Sequence, residues 1–408
     1  MNWKLLVFLL LTLGWAYRMV LHFVSRRSAQ NPTPANVADV YDADTYTRWK
    51  AYMAEKNRLK LFSTALSYVV SLALLFSGAY AAFAGLFPAN GFLQLLAVVL
   101  LETLADTLTG VGLAWVDTMV IEQKYGFNRT TAKTFVIDQI RDFIIGMLLS
   151  TLLAGLLMWL HTAMGDWVIL LFAGVVFLFT LVISFLYGPV FSRLGNKFEP
   201  LEEGELKEKL MALLTRHGYQ VKAIEVMDAS RRTTKLNAYF TGFGKLKSIV
   251  LFDNLVNAMS TDEICAVFAH ELGHGLNKDV LKQQLLNLGN LLLMAVTVWL
   301  CVREPALHQA FGFAGVNYGF AFVLLGVGLG LVQPLTGLAM NAYSRMAEYR
   351  ADRQAVKEGY GPYLAAGLKK LARENFAHLA PSPVLVALEY SHPPLSQRIE
   401  AIEKELKK

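Results

Sequence analysis

Cysteine is almost absent from this chain: Cys265 and Cys301 are the only two in 408 residues. Two thiols cannot make a disulfide framework or a cysteine zinc site, which excludes both a stapled secreted scaffold and a zinc ribbon. Cys265 is expected to pack within a helix, and Cys301 ends an apolar run. Charge is scarce too. Charged residues make up 17% of the chain against 55% hydrophobic, and the mean hydropathy is positive, which is unusual for a soluble protein of this length. No internal repeat or low-complexity tract is present, which argues against a repeat-built transporter. The formal net charge of +6 does not point to a nucleic-acid partner. The basic residues sit mostly beside apolar stretches, where orientation in a bilayer accounts for them.

What the chain has instead is long apolar runs. Seven are long enough to cross a bilayer, which takes ~20 helical residues. They run roughly Leu5 to Val24, Leu61 to Phe87, Phe92 to Trp115, Phe143 to Leu160, Trp167 to Tyr187, Leu285 to Val302 and Val316 to Met340. The first is not a signal peptide, because its apolar part is long, it contains Arg18 and His22, and no clean small-residue cleavage site follows. Pro334, late in the seventh run, predicts a kink. Glu102 and Asp106 lie four apart on one helix face, with Asp117 just beyond. Carboxylates at this depth either line a wet cavity or bond between helices.

Loop charge sets the orientation. The first connection carries Arg26, Arg27, Arg48, Lys50, Lys56, Arg58 and Lys60, and the third carries Lys124, Arg129, Lys133 and Arg141. The alternate loops are nearly bare. The positive-inside rule then places the N-terminus outside and the C-terminus in the cytosol. On that topology Asn128-Arg129-Thr130, a formal glycosylation acceptor, is on the wrong side and is a chance match.

These features predict an α-helical integral membrane protein with a hydrophilic α+β domain in two pieces. Residues 1–189 hold the first five spans, 190–279 the first polar piece, 280–340 the last two spans and 341–408 the second polar piece. Leu201 to Arg216 reads as an amphipathic helix. Ala223 to Met227, Asn237 to Thr241 and Ser248 to Phe252 read as short strands, the last two joined by a Gly-containing turn. Asn341 to Gly359 continues the last span as a charged helix.

The most informative stretch is His270-Glu271-Leu272-Gly273-His274. Residues four apart share a helix face, so both imidazoles can reach one metal ion, with Glu271 beside them as a proton acceptor. Ser260 and Glu263 form a capping box, and Ile264, Val267, Phe268 and Leu272 give the helix a buried face. The alternative is a helix with two solvated or core histidines. A catalytic zinc takes three protein ligands. Gly and His at the third and sixth places after His274 would supply the last one locally, but those places hold Asn277 and Val280. Glu348 is the best distal candidate, and Asp352, one turn on, could bond a ligand histidine. A solvated charged helix with i,i+4 pairs accounts for the same residues.

Several segments in order resemble the membrane-integrated CAAX prenyl protease family (type 1), which are zinc endopeptidases. They are Ile121-Glu122-Gln123-Lys124-Tyr125-Gly126-Phe127-Asn128, Asn237-Ala238-Tyr239-Phe240-Thr241-Gly242, Ile249 to Asp253, the histidine motif, Ser344-Arg345 through Glu348 to Asp352, and Ser391-His392-Pro393-Pro394. The resemblance implies seven membrane helices around a water-filled chamber and a cytosolic zinc protease domain. It implies zinc on His270, His274 and Glu348, with Glu271 as base and Asp352 behind the ligands. Asn237, Ala238 and Tyr239 would bind substrate as an edge strand, and His392 and Arg398 would steady the oxyanion or the substrate. The partner it implies is a peptide or protein cut near its prenylated C-terminus; the apolar runs themselves call for a lipid bilayer, and the bacterial style of the chain favours an inner membrane. Family members often carry a bulky residue after the second histidine and another His a turn later; here those places hold Gly275 and Asp279, so that histidine's role does not transfer. The competing readings are a quality-control protease similar to bacterial heat-shock metalloproteases, expected to have fewer spans, and a catalytically silent membrane scaffold, against which the intact Glu271 argues.

Overall fold

A computed structural model describes residues 1–187, 193, 196–219, 223–241 and 248–408. The apolar runs form helices, several of which extend well beyond them. They are α1 (Trp3–Ser28), α2 (Ala43–Ser77), α3 (Ala79–Gly85), α4 (Gly91–Trp115), α5 (Ala132–Met164) and α6 (Val168–Tyr187). The hydrophilic part begins with β1 (Phe198–Pro200), α7 (Glu205–Arg216), β2 (Ala223–Met227), β3 (Ala238–Thr241), β4 (Ser248–Phe252), α8 (Asp253–Ala258) and α9 (Thr261–Leu276). The chain continues with α10 (Asp279–Arg303), α11 (Pro305–Ala310), α12 (Tyr318–Lys357), α13 (Gly361–Glu374), α14 (Pro383–Glu389) and α15 (Leu395–Leu406).

Among the described residues, six helices are long and apolar enough to cross a membrane. The fifth expected span corresponds to α6, whose described apolar stretch, Val168–Ser184, is shorter. The single span expected over 61–87 is instead two helices. Gly78 adopts φ 79 between α2 and α3, a left-handed conformation that glycine reaches without the usual steric cost. At the other end, α12 runs unbroken through Pro334 for 40 residues, from the apolar stretch into the charged segment. Leu5, Leu9, Leu13 and Val20 on α1 are exposed, as lipid-facing residues should be.

The intramembrane carboxylates divide between the two expected behaviours. The Tyr80 hydroxyl on α3 donates to Glu102. Asp117, in a π-helical segment (Val116–Glu122) that continues α4, pairs with Lys56 at 2.6 Å. Asp106 is exposed and has no partner among the described residues.

The sheet has the order β1-β2-β4-β3. β2 and β4 run parallel, and β1 and β3 are antiparallel to their neighbours. β3 is therefore an edge strand. The expected strand Asn237 to Thr241 begins at Ala238, and its Gly-containing turn lies outside the described residues, as does Gly242. β1 was not expected, since three residues ending in proline give no readable alternation. Its consequence is a later start for α7: Leu201 N–H still bonds the Ile224 carbonyl at 2.9 Å, so the helix starts at Glu205.

Two apolar cores organise the molecule. One joins the membrane helices through Val98, Leu157, Phe320 and Leu324. The other lies beneath α9 and the sheet and contains Leu210, Ile249, Leu251, Ile264 and Ile399. This second core also takes Val37, Trp49, Tyr52, Ile121, Tyr125 and Phe127 from the first and third connections. Aromatic side chains bury large areas from a short stretch, and with these connections the hydrophilic core draws on four pieces of sequence, not two. Asn128 is buried there, and its side chain is hydrogen-bonded to Gln123 and Thr130, which leaves no room for a glycan.

Candidate metal centre

α9 begins where its capping residues require. Ser260 accepts from the Glu263 amide, and Glu263 accepts from the Ser260 amide at 2.8 Å. Ile264, Cys265, Phe268 and Leu272 are buried, which turns the 270/274 face toward α12. Gly273 sets the approach of the two helices. A Cβ there would lie 2.8 Å from the Ala351 Cα and 3.0 Å from the Gln354 Cβ. Only glycine permits helices this close, and the closeness brings both histidines onto Glu348.

His270 Nε2 lies 3.4 Å from Glu348 Oε2, and His274 Nε2 lies 3.2 Å from Glu348 Oε1. Donor atoms of the three residues all fall within 4.8 Å of one another. The outer nitrogens are held as well. His270 Nδ1 is 2.9 Å from Asp352 Oδ1, and His274 Nδ1 is 3.1 Å from Asp279 Oδ2. Carboxylates at both Nδ1 positions fix the tautomers and leave both Nε2 atoms free to face the centre.

Arg398 is buried among the carboxylates. Its Nε and Nη2 donate to Asp352 at 2.9 and 2.6 Å, and its Nη1 is 3.1 Å from Glu348 Oε2. No donor is aligned for a hydrogen bond to that buried Oε2. Buried acceptors are rarely left so, and two imidazole nitrogens with one carboxylate oxygen are the donor set that zinc takes. His392 is the exposed member, with Nε2 3.4 Å from Glu348 Oε1 and Nδ1 2.9 Å from Ser391 Oγ.

Burial disfavours charge on His270, but the carboxylates of Asp352 and Glu348 beside its two ring nitrogens outweigh that and raise its pKa to about 9. For His274 burial is again the larger opposing effect, and Glu348 again raises the pKa. Glu348 lies beyond the apolar part of α12. Burial would raise its pKa, yet His270 and His274 hold it well below the carboxylate range.

Sequence reasoning missed Asp279. It is buried at the first position of α10, where it accepts from Tyr343 Oη at 2.8 Å and Arg350 Nη2 at 2.7 Å besides facing His274. The signal was available: it stands five residues after His274, and Arg350 shares a helix with Glu348. The other departure, Gly275, has a steric counterpart. A Cβ there would meet the Tyr219 hydroxyl at 2.6 Å. The Asn237 side chain accepts from the Ala238 amide at 2.9 Å, its carbonyl accepts from Phe252 N–H at 3.2 Å, and Tyr239 meets Phe252 edge to face. Asn375 bonds both the amide and the carbonyl of Leu236, which braces the approach to this edge strand.

The fold and site define a class: a polytopic membrane protein whose hydrophilic side carries a helical two-histidine centre completed by a distal glutamate. Comparison with known proteins narrows it. Residues 23–197 match the family model described as CAAX prenyl protease N-terminal, five membrane helices, and residues 200–406 match Peptidase family M48. The chain belongs to peptidase family M48. It is 31% identical over 405 residues to CAAX prenyl protease 1 homolog of Oryza sativa subsp. japonica, covering 96% of this chain and 95% of that one. Identity to the Homo sapiens CAAX prenyl protease 1 homolog is 28% over 428 residues, covering 91% and 88%. The crystal structure of S. mikatae Ste24p superposes with a TM-score of 0.92 at 25% identity, covering 99% of both chains. The protein is thus an integral-membrane peptidase that resembles the CAAX prenyl proteases.

Proposed function

We propose that the protein is a zinc endopeptidase that hydrolyses a peptide bond near the C-terminus of a prenylated protein. The observation that carries this is the convergence of His270, His274 and Glu348, with Glu271 on the same helix. Zinc on those three residues would lower the pKa of a bound water towards ~7 and polarise a carbonyl. Glu271 is within electrostatic reach of His274 and Arg398; it takes the proton of the attacking water and returns it to the leaving amine. Asp352 and Asp279 keep the histidines in the ligating tautomer. Arg398 positions Asp352 and Glu348, and exposed His392 is the donor available to the oxyanion. Asn237, Ala238 and Tyr239, on the last strand of the sheet among the described residues, receive an extended substrate as an added strand.

The basic first and third connections pack into the same core as α9, which supports one sidedness for all of them: hydrophilic domain and C-terminus in the cytosol, N-terminus outside. The expectation of a bacterial inner membrane draws no support from the relatives above, which are eukaryotic. Hydrolysis of a farnesylated peptide by protein purified in detergent tests the reading, with Glu271→Gln as comparison. Zinc-dependent cleavage by wild type, lost in the variant while zinc stays bound, is the expected result. Equal cleavage by both overturns Glu271 as base.

A further inference from the structure

One carboxylate joins the membrane spans to the approach of β3. Glu122 ends the π-helical segment that continues α4. In an α-helix, residues five apart point about 140° away from each other. A π turn closes its bonds over five residues instead, and here Asp117 and Glu122 both reach Lys56 of α2, at 2.6 and 3.0 Å. Tyr52, one turn earlier on α2, donates to Glu122 Oε1 at 2.6 Å. The other oxygen, Oε2, faces Lys235 Nζ at 2.8 Å. The Lys235 ammonium also lies 4.8 Å from the centre of the Phe127 ring. The Glu122 side chain is only 13% exposed, which sets this pair apart from surface ion pairs that contribute little.

Lys235 stands two residues before Asn237. Among the described residues β3 pairs with β4 alone, so its placement depends on how its start is held. Three contacts hold it. Asn254 Nδ2 of α8 donates to the Lys235 carbonyl at 2.7 Å, Asn375 after α13 bonds Leu236 at both backbone groups, and Glu122 holds the Lys235 ammonium. Of these, Glu122 is the one carried by a membrane helix.

We infer that Glu122 and Lys235 are positioning residues for the substrate: their ion pair fixes the start of β3, and so the strand to which an extended peptide adds, relative to the membrane spans. This rests on the reading that Asn237 to Tyr239 bind the peptide. Strand addition grips main chain away from the reacting bond, in the ground state and the transition state alike. Loosening the strand therefore raises KM and leaves kcat. Loss of one such contact corresponds to about threefold to tenfold in KM.

The experiment measures kcat and KM separately for a farnesylated peptide, with the zinc-loaded full chain in detergent. Glu122→Gln and Lys235→Met should each raise KM about threefold to tenfold, with kcat within about twofold. The double variant should be no worse than the worse single one, because both remove the same contact. Lys235→Arg should keep KM near wild type. Asp117→Asn breaks the same network on the side away from β3, and should leave KM within about twofold even where the melting temperature falls. Amide exchange from Leu236 to Thr241 should quicken in Glu122→Gln and Lys235→Met but not in Asp117→Asn, a readout that needs no substrate. An unchanged KM in both single variants, additive effects in the double, or an equal rise in Asp117→Asn overturns the inference and leaves the peptidase reading intact. So does a fall in kcat accompanied by loss of zinc, since the pair would then support the metal centre. Absence of cleavage by zinc-loaded wild type sinks the peptidase reading itself, and the inference with it.

Discussion

Replacing Asp279 with alanine tests the carboxylate that stands behind His274. The substitution removes the acceptor for His274 Nδ1 and, with it, the partner of Tyr343 and Arg350. A carboxylate behind a ligating histidine is worth about 10- to 100-fold in metal affinity, or about 1.4 to 2.8 kcal/mol. Asp279 also stands in the first turn of α10, where an acid gains ~0.3–1 kcal/mol from the helix dipole. The variant should therefore lose zinc affinity by one to two decades and melt slightly lower. Asp279→Asn should fall between, because its one carbonyl cannot serve His274 while its amide faces the Arg350 guanidinium. Zinc competition against a chromophoric chelator reads the affinity directly. Affinity within twofold of wild type in Asp279→Ala would refute the argument and place the control of the His274 tautomer elsewhere.

Two further outcomes follow from the same centre. Zinc affinity should strengthen by up to about tenfold per pH unit as pH rises toward 9, because zinc must displace the proton held on His270; chelator competition from pH 6 to 9 checks it, and a flat profile counts against it. The metal-free protein should behave in the opposite sense. The folded pKa of His270 lies above its unfolded value, so its contribution is complete below pH 6.5 and is lost as pH rises through about 9, which predicts a lower melting temperature at pH 10 than at pH 7. Gly273→Ala should cost about 1–3 kcal/mol through overpacking against Ala351 and weaken zinc binding by separating α9 from Glu348; calorimetry and metal titration of one sample read both.

Much of the site was legible because local rules determine it. The capping box at Ser260 and the apolar positions from Ile264 to Leu272 set both the start of α9 and the face it buries, and two strands fall on their expected residues. Glu348 was less legible. By periodicity it was the best distal candidate but still one acid on a charged helix, and resemblance to a family decided it, because the contact that selects it is made across 74 or more residues. Asp279 was hidden for a related reason. It reads as the polar start of a membrane helix, and its partners Tyr343 and Arg350 lie on another. The connections at 37–52 and 121–127 were read for charge, so their orientation value was visible while their aromatic contribution to the core was not.

α12 carries the last membrane span and the polar segment of the metal centre on one helix of 40 residues. Asn341 and Arg345 hold the end of α14 and Tyr390 just before His392, Glu348 faces both histidines, and Asp352 holds His270 and Arg398. A helix rises 1.5 Å per residue with little give along its axis, so these groups keep fixed separations whatever the bilayer does around the apolar half. A break between Arg345 and Glu348 would free the segment before His392 from the metal centre without removing any ligand. Inserting one residue there rotates every group on one side by about 100° relative to the other. That insertion should abolish peptide cleavage even when the metal stays bound, and retained cleavage would show that the segment before His392 and the metal centre work independently.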